Sequence, residues 1–433
     1  MKHKHLINVV TLGCNKNTVD SEYIMGQLEM NGMEVVYDSD STDAKTVIIN
    51  TCGFIGDAKQ ESIDTILSFA RAKQEGLIEH LYVIGCLSER YKEELRVEIP
   101  EVDEIFGVRD LSEVVLALGG KWHDGPSCIR KLSTPSHYAY LKISEGCDRT
   151  CGYCAIPLIR GKHISLPIET LVEQAKTLAR RGVRELIVIA QDTTYYGIDI
   201  YGKRMIAELL RELCKVEGIE WIRLHYAYPA GFPDELIDVM ASEPKICKYL
   251  DIPFQHISDN QLRAMRRGGD SKQAYTLIEE LLCRIPGIAL RTTLLVGYPG
   301  EERADFEALK RFVQEVRFDR LGVFTYSQEE GTYSANNLED NVPARTKKRR
   351  MERIMEIQRE ISIDNNSTYV GRKLKVIIDG TQEDFYLGRT EYDSPEVDQQ
   401  VWIVSDKKLK VGEFYMVEIT SADEYDLYAR IAE

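Results

Sequence analysis

The 433-residue chain is 43% hydrophobic and 29% charged, the balance of an ordinary globular protein of roughly two to four domains. Its net charge of −15 favours a basic partner and weighs against a surface built mainly to grip phosphate. No apolar run approaches the roughly eighteen residues of a membrane-spanning helix, and ten cysteines with no secretory leader point to a reducing cytoplasm, where they serve as metal ligands or buried thiols rather than disulfides.

The basic start and the run Thr-Leu-Gly-Cys ending at Cys14 have the outline of a lipoprotein cleavage site. The apolar stretch Leu6–Leu12 contains Asn8 and is at the short limit for a signal, so it reads better as a first strand. Further strands are expected at Thr46–Asn50 and Leu81–Ile84, with helices at Asp20–Met30 and Asp57–Gln74. Such alternation predicts an open parallel α/β sheet domain over residues 1–130. Cys14, Cys52 and Cys86 each fall just past a strand's carboxyl end, beside a glycine. Those ends share one edge of a parallel sheet, the edge where ligands bind, so three cysteines distant in sequence are candidates to meet and hold a cluster. Small buried residues in tight turns would give the same pattern.

A polar linker with Gly119, Gly120, Gly125, Pro126, Cys128, Ser133 and Pro135 leads to a second region, 134–365. Here strand and helix alternate about six times. Strands are expected at Tyr138–Ile143, Leu186–Ala190, Ile222–Ala227, Tyr249–Pro253, Leu290–Val296 and Leu321–Thr325. The helices between them include Glu169–Arg181, Met205–Lys215, Gln273–Cys283 and Arg303–Val316. Repeated βα units predict a partial (β/α)6 barrel with its reactive loops at the carboxyl ends of the strands.

Just after the first of these strands lies Glu-Gly-Cys-Asp-Arg-Thr-Cys-Gly-Tyr-Cys, with Cys147, Cys151 and Cys154 in C-x3-C-x2-C spacing. Three thiolates within eight residues can grip one face of a 4Fe–4S cluster and leave the fourth iron open for a substrate or cofactor. A zinc knuckle would need a fourth ligand nearby, and His163 lies nine residues beyond Cys154. Cys214, Cys247 and Cys283 read as buried thiols in or near helices. The segment Tyr326–Thr332 ends the last barrel strand and is a candidate to face the substrate. A charged helix then opens at Arg345 and runs to about Ile363.

From 368 to 433 the pattern becomes alternating. Short strands at Leu374–Ile378, Phe385–Arg389, Gln400–Ile403, Phe414–Ile419 and Leu427–Ile431 predict a small antiparallel β-barrel. This segment holds eight Lys and Arg against fourteen Asp and Glu.

With Tyr153 before its last cysteine, the triplet resembles the signature of radical S-adenosylmethionine (SAM) enzymes. The whole chain resembles their methylthiotransferase branch, in which a three-cysteine N-terminal domain, a radical SAM barrel and a TRAM barrel follow one another. The resemblance implies a transferase with two 4Fe–4S clusters, one on Cys147, Cys151 and Cys154 and an auxiliary one on Cys14, Cys52 and Cys86. It also implies that two SAM molecules are used per turnover, one to yield the hydrogen-abstracting radical and one to supply the methyl group. SAM contacts carried over from the family are Tyr153, Gln191, Asp192, Gln255 and Gly297.

Within the branch, the runs Ala190-Gln-Asp-Thr-Thr-Tyr-Tyr-Gly and Asp251-Ile-Pro-Phe-Gln-His are similar to members that methylthiolate the β-carbon of an aspartate in ribosomal protein S-twelve. Sister enzymes acting on tRNA adenosine typically carry Gln-Asn where this chain has Gln191-Asp192. The acidic tail points the same way, since a barrel that grips tRNA should be basic and one that docks a basic protein acidic. The partners implied are that ribosomal protein, an electron donor such as a flavodoxin or ferredoxin, and a sulfur source. The competing readings are a tRNA adenosine methylthiotransferase, an iron–sulfur RNA-binding sensor without turnover, and a zinc-binding scaffold.

Overall fold

The computed structural model describes residues 6–39, 43–123 and 130–432; the linker residues Gly125, Pro126 and Cys128 lie outside them. Five strands form the first sheet: β1 (Leu6–Thr11), β2 (Glu34–Tyr37), β3 (Thr46–Thr51), β4 (His80–Gly85) and β5 (Glu104–Ile105). They run parallel in the order β2-β1-β3-β4-β5. The central strand β3 is buried along its whole length, as its unbroken run of β-branched residues requires. The short edge strands β2 and β5 carry too few residues to show a period, and sequence patterning missed them.

Three helices of this domain matter for the site: α1 (Asn15–Met30), α2 (Gly56–Gln74) and α3 (Cys86–Arg90). Helix α1 starts five residues before its expected start at Asp20. Its first turns bury polar residues, Lys16, Asn17, Asp20 and Glu22, against the next domain. A helix that buries polar groups has no apolar stripe to read.

The second sheet holds the six expected barrel strands. In chain order the region contains β6 (Tyr138–Lys142), a two-stranded ribbon of β7 (Ser144–Glu145) and β8 (Ile164–Ser165), then β9 (Glu185–Ile189), β10 (Trp221–Leu224), β11 (Ile246–Asp251), β12 (Ala289–Val296) and β13 (Arg320–Thr325). The ribbon brackets the cysteine loop. The main sheet runs β13-β12-β11-β10-β9-β6, parallel throughout and open between its first and last strands. The third sheet is a closed barrel of β14 (Lys373–Gln382), β15 (Phe385–Thr390), β16 (Val401–Val404), β17 (Phe414–Ala422) and β18 (Leu427–Ile431). Its pairs are antiparallel except β16 with β18.

Two of the three cysteines read as buried core thiols need correcting. Cys247 is buried, but on β11 rather than on a helix, and Cys283 is exposed on the helix Ser271–Arg284. Cys214 is half-buried. The segment after β13 also does more than end a strand. Glu329, buried, accepts from Lys59 at 2.8 Å and Arg90 at 2.9 Å, and Arg90 also donates to the Gly53 carbonyl beside Cys52. This clasp joins the first domain to the barrel.

The C-terminal barrel is fastened to the central one by the loop between β15 and β16. Arg320 binds Asp393 at 3.0 Å, Tyr249 donates to Asp398 at 2.7 Å, and Ser394 meets the His225 ring at 2.9 Å. Beneath them Glu185, fully buried, takes Arg223 at 2.8 Å and Arg389 at 2.7 Å, and Arg389 also holds Asp379. Burial alone would push the Glu185 carboxyl up, but Arg389 and Arg223 overcome it and hold it below the usual carboxylate range. Three of the tail's fourteen acidic residues, Asp379, Asp393 and Asp398, therefore serve this junction rather than an outside partner.

The substitution Glu185→Ala strands two guanidinium groups in a site without water. It is expected to cost about 3–5 kcal/mol of stability, read as a shifted urea midpoint; a loss below about 1 kcal/mol would mean that water or Asp379 replaces the carboxylate.

Candidate active site

The first cysteine triplet lies in the loop between β7 and β8. The Cys147 amide donates to Gly161 at 3.0 Å, the Gly152 amide to Met265 at 2.7 Å, and the Cys154 amide to Cys151 at 3.1 Å. These bonds pin the loop at three points. Arg267 reaches both the Tyr153 hydroxyl at 3.0 Å and the Cys151 sulfur at 3.8 Å. Burial pushes the Cys147 thiol up to about 11, against the Arg149 amide that points at its sulfur.

The second triplet comes from three neighbouring strands. Cys14 follows β1, Cys52 follows β3, and Cys86 follows β4 and opens α3. Adjacent parallel strands put their carboxyl ends side by side, so the three cysteines gather at one edge of the sheet. Cys52 is held by Ser62, whose hydroxyl accepts from its amide and donates to its carbonyl, both at 2.9 Å. Gly13 has φ +88°, and a Cβ there would stand 2.8 Å from the Cys52 sulfur, so only glycine keeps that space clear. Burial pushes the Cys86 thiol up to about 12; Arg160 opposes this, and Cys14 and Cys52 add to it.

Both triplets offer three thiols and no carboxylate or imidazole, a donor set suited to iron–sulfur chemistry. Among the described residues, no three His, Cys, Asp or Glu side chains are placed to hold a single metal ion. The residues present fit a multi-iron group better than one zinc.

The two triplets face each other. Cys86 packs with Ala155 and Ile159, immediately after Cys154. Between them sits Arg160, only 1% exposed, bonded to Asn17 at 2.5 Å, Asp20 at 3.1 Å and Glu145 at 2.9 Å. Lys142 joins the same two carboxylates. Burial would raise the Glu145 carboxyl, but Lys142 and Arg160 outweigh it and hold it well below its ordinary value.

The other predicted site residues occupy different settings. Gln191 donates to Glu145 at 2.6 Å, and its own oxygen is buried without a partner. Asp192 accepts from Arg149 at 2.8 Å and caps the turn at Thr194. One Arg149 nitrogen, Nη2, is likewise buried and unpartnered, beside Tyr195 and Tyr228. Gln255 has φ +68°, a conformation strained for a side chain of its size, at the bridge to Leu294. Gly297 turns at φ +75° against the Lys347 side chain, and its amide is bonded to Glu301.

Family models match three parts of the chain: an uncharacterized protein family, UPF0004, over residues 6–107, the Radical SAM superfamily over 141–313, and the TRAM domain over 370–432. Among curated proteins, the ribosomal protein uS12 methylthiotransferase RimO of Phocaeicola vulgatus is 53% identical over 429 residues, 99% of each chain. RimO of Flavobacterium johnsoniae is 53% identical over 431 residues, 99% of this chain and 98% of its own.

The chain belongs to the RimO family.

Solved structures resemble this RimO-family chain in fold alone. TsrM of Kitasatospora setae, a radical SAM methyltransferase solved with cobalamin and a 4Fe–4S cluster, is 14% identical at TM-score 0.58, covering 76% of this chain and 77% of its own. OxsB, a cobalamin-dependent SAM radical enzyme, is 13% identical at TM-score 0.52, covering 83% and 62%.

Sequence patterning found the cysteines of this RimO-family site but missed Lys16, Asn17, Asp20, Lys142, Glu145 and Arg160. The one available signal was the polar run Asn15-Lys-Asn directly after Cys14, at a place where an amphipathic helix would start with mixed residues. Replacing Arg160 by Met removes the cation shared by Asp20 and Glu145. A loss of about 3 kcal/mol is expected in denaturation of the metal-free protein. Arg160→Lys should recover only part of it, because one ammonium cannot reach Asn17, Asp20 and Glu145 together.

Proposed function

We propose that this chain is a radical SAM methylthiotransferase that adds a methylthio group to the β-carbon of an aspartate in ribosomal protein uS12. The observation that carries this reading is the pair of three-thiol sites set face to face across Arg160. Cys147, Cys151 and Cys154 would hold one 4Fe–4S cluster, and Cys14, Cys52 and Cys86 the other. When bound, the first supplies the electron that cleaves SAM to methionine and a 5′-deoxyadenosyl radical, and the second offers an open iron for the sulfur to be transferred.

The chain's own residues bind and orient. Tyr153, Gln191, Asp192, Gln255 and Gly297 are the proposed SAM contacts. The free Gln191 oxygen is placed to accept from an ammonium and the free Arg149 nitrogen to donate to a carboxylate, the two charged groups of a methionyl moiety. The open irons require a low-potential electron donor such as a flavodoxin or ferredoxin, and a sulfur source. Two SAM molecules per turnover follow from separate radical and methyl roles.

A basic protein substrate suits the surface. A groove of about 680 Å³ runs between β13, the long helix Ala344–Ser367 and the C-terminal barrel. Asp319, Glu352, Glu356, Glu424 and Asp426 line it, and Tyr425 stands 66% exposed at its rim. The groove shares Arg291 and Val397 with a smaller cavity of about 230 Å³ that Cys14 lines, so a chain lying in the groove has a route toward the second triplet. A tRNA backbone would meet like charge there. Among the described residues no helix is long and apolar enough to cross a membrane, in keeping with action on a ribosomal protein in the cytoplasm.

The deciding test is mass spectrometry of uS12 after incubation with the anaerobically reconstituted protein, SAM, sulfide and a reductant. One aspartate carrying a methylthio group is the expected result; the same mark on tRNA adenosine instead would overturn it. Replacing Cys14, Cys52 and Cys86 together by Ala should leave about half the iron and retain SAM cleavage without methylthiolation. Replacing Cys147, Cys151 and Cys154 should abolish SAM cleavage.

A further inference from the structure

Burying a cation is costly unless an anion answers it, so a buried ammonium with no acid beside it calls for an explanation. Lys16 is such a group. It stands in the first turn of α1, two residues beyond Cys14, and is 7% exposed. Among the described residues its ammonium has no hydrogen bond and no ion pair; its contact is the face of the Tyr226 ring, 2.9 Å from the centroid. The nearby buried cations are all answered: Lys142 and Arg160 by Asp20 and Glu145, and Arg149 by Asp192.

A second, independent feature marks the same spot. Tyr226 has φ +58°, a left-handed conformation that costs a bulky aromatic residue roughly 1–3 kcal/mol. It is held there by its amide on Asp251 at 3.3 Å and its hydroxyl on Asn15 at 3.3 Å. Tyr226, Cys14, Asp251 and Arg291 all line the 230 Å³ cavity that opens toward the acidic groove. Arg291 is already taken by Asp251 at 2.9 Å and Asp398 at 3.3 Å. A carboxylate entering this cavity would find Lys16 as the cation still without a partner.

We propose that Lys16 is the receptor for the side-chain carboxylate of the substrate aspartate. This rests on the function proposed above. A charge-assisted bond from the ammonium to that carboxylate fixes the carbon one bond away, which is the β-carbon to be modified, beside Cys14. An asparagine of the same shape lacks the charge, and an adenine ring offers no anion there. Lys16 thus separates an acidic side chain from both.

The test is a binding cycle by calorimetry on reconstituted holoenzyme. Wild type and Lys16→Gln are each titrated with uS12 and with uS12 whose modified aspartate is changed to asparagine. Wild type should prefer the aspartate form by about tenfold or more. Lys16→Gln should bind both forms alike, at the level of wild type with asparagine, with iron content and SAM affinity intact. Lys16→Arg should restore part of the preference. The proposal is overturned if Lys16→Gln keeps the preference, if it loses iron, which would make Lys16 a counter-charge for the cluster, or if it loses SAM affinity alone, which would make the SAM carboxylate its ligand. A wild type that modifies no aspartate of uS12 sinks the parent reading and this one with it, whereas a modifying wild type with an indifferent Lys16 sinks this one alone.

Discussion

Everything reactive in this molecule is arranged around one buried guanidinium. Arg160 ends the short helix after Cys154 and reaches across to α1, the helix that begins beside Cys14. One side chain therefore ties the loop of the first triplet to the helix of the second. Its charge is balanced by Asp20 and Glu145, and theirs by Lys142, so the group is a closed network rather than a lone ion pair. Networks of this kind contribute little net stability over an apolar core of the same size. Their value is in orientation, because a planar fork satisfied on several sides admits few alternative geometries.

The same device recurs at the other end of the barrel. Glu185, Arg223, Arg389 and Asp379 weld the C-terminal barrel to the central sheet, with Asp393 and Asp398 adding further bonds. The C-terminal domain is thus part of the wall around the catalytic barrel. Its remaining acidic residues join those of the helix Ala344–Ser367 in one groove, and that groove leads toward Cys14. The negative charge of the chain is partly structural and partly presented, and only the folded arrangement separates the two.

Much of the architecture was legible in advance. The six barrel strands fall within a few residues of their expected places, because fully buried parallel strands are continuous apolar runs bounded by polar turns. Helix α1 was misplaced at its start because its first turns bury Lys16, Asn17 and Asp20, which look like surface residues to any pattern based on polarity. Cys283 was misjudged for the opposite reason: a cysteine among apolar neighbours can sit on the outer face of an amphipathic helix.

The sequence by itself determined the chemistry on offer. The spacing of Cys147, Cys151 and Cys154 is local, and a thiol grip within eight residues depends on little beyond the loop that carries it. Cys14, Cys52 and Cys86 were placed on one sheet edge by strand alternation alone, since parallel strands leave no other choice. Only the tertiary structure decided that the two triplets face each other, that Arg160 stands between them, and that Lys16 is buried without an acid. Those facts depend on contacts between residues more than a hundred positions apart, where the pairing of charges is set by packing, which no local pattern of residues encodes.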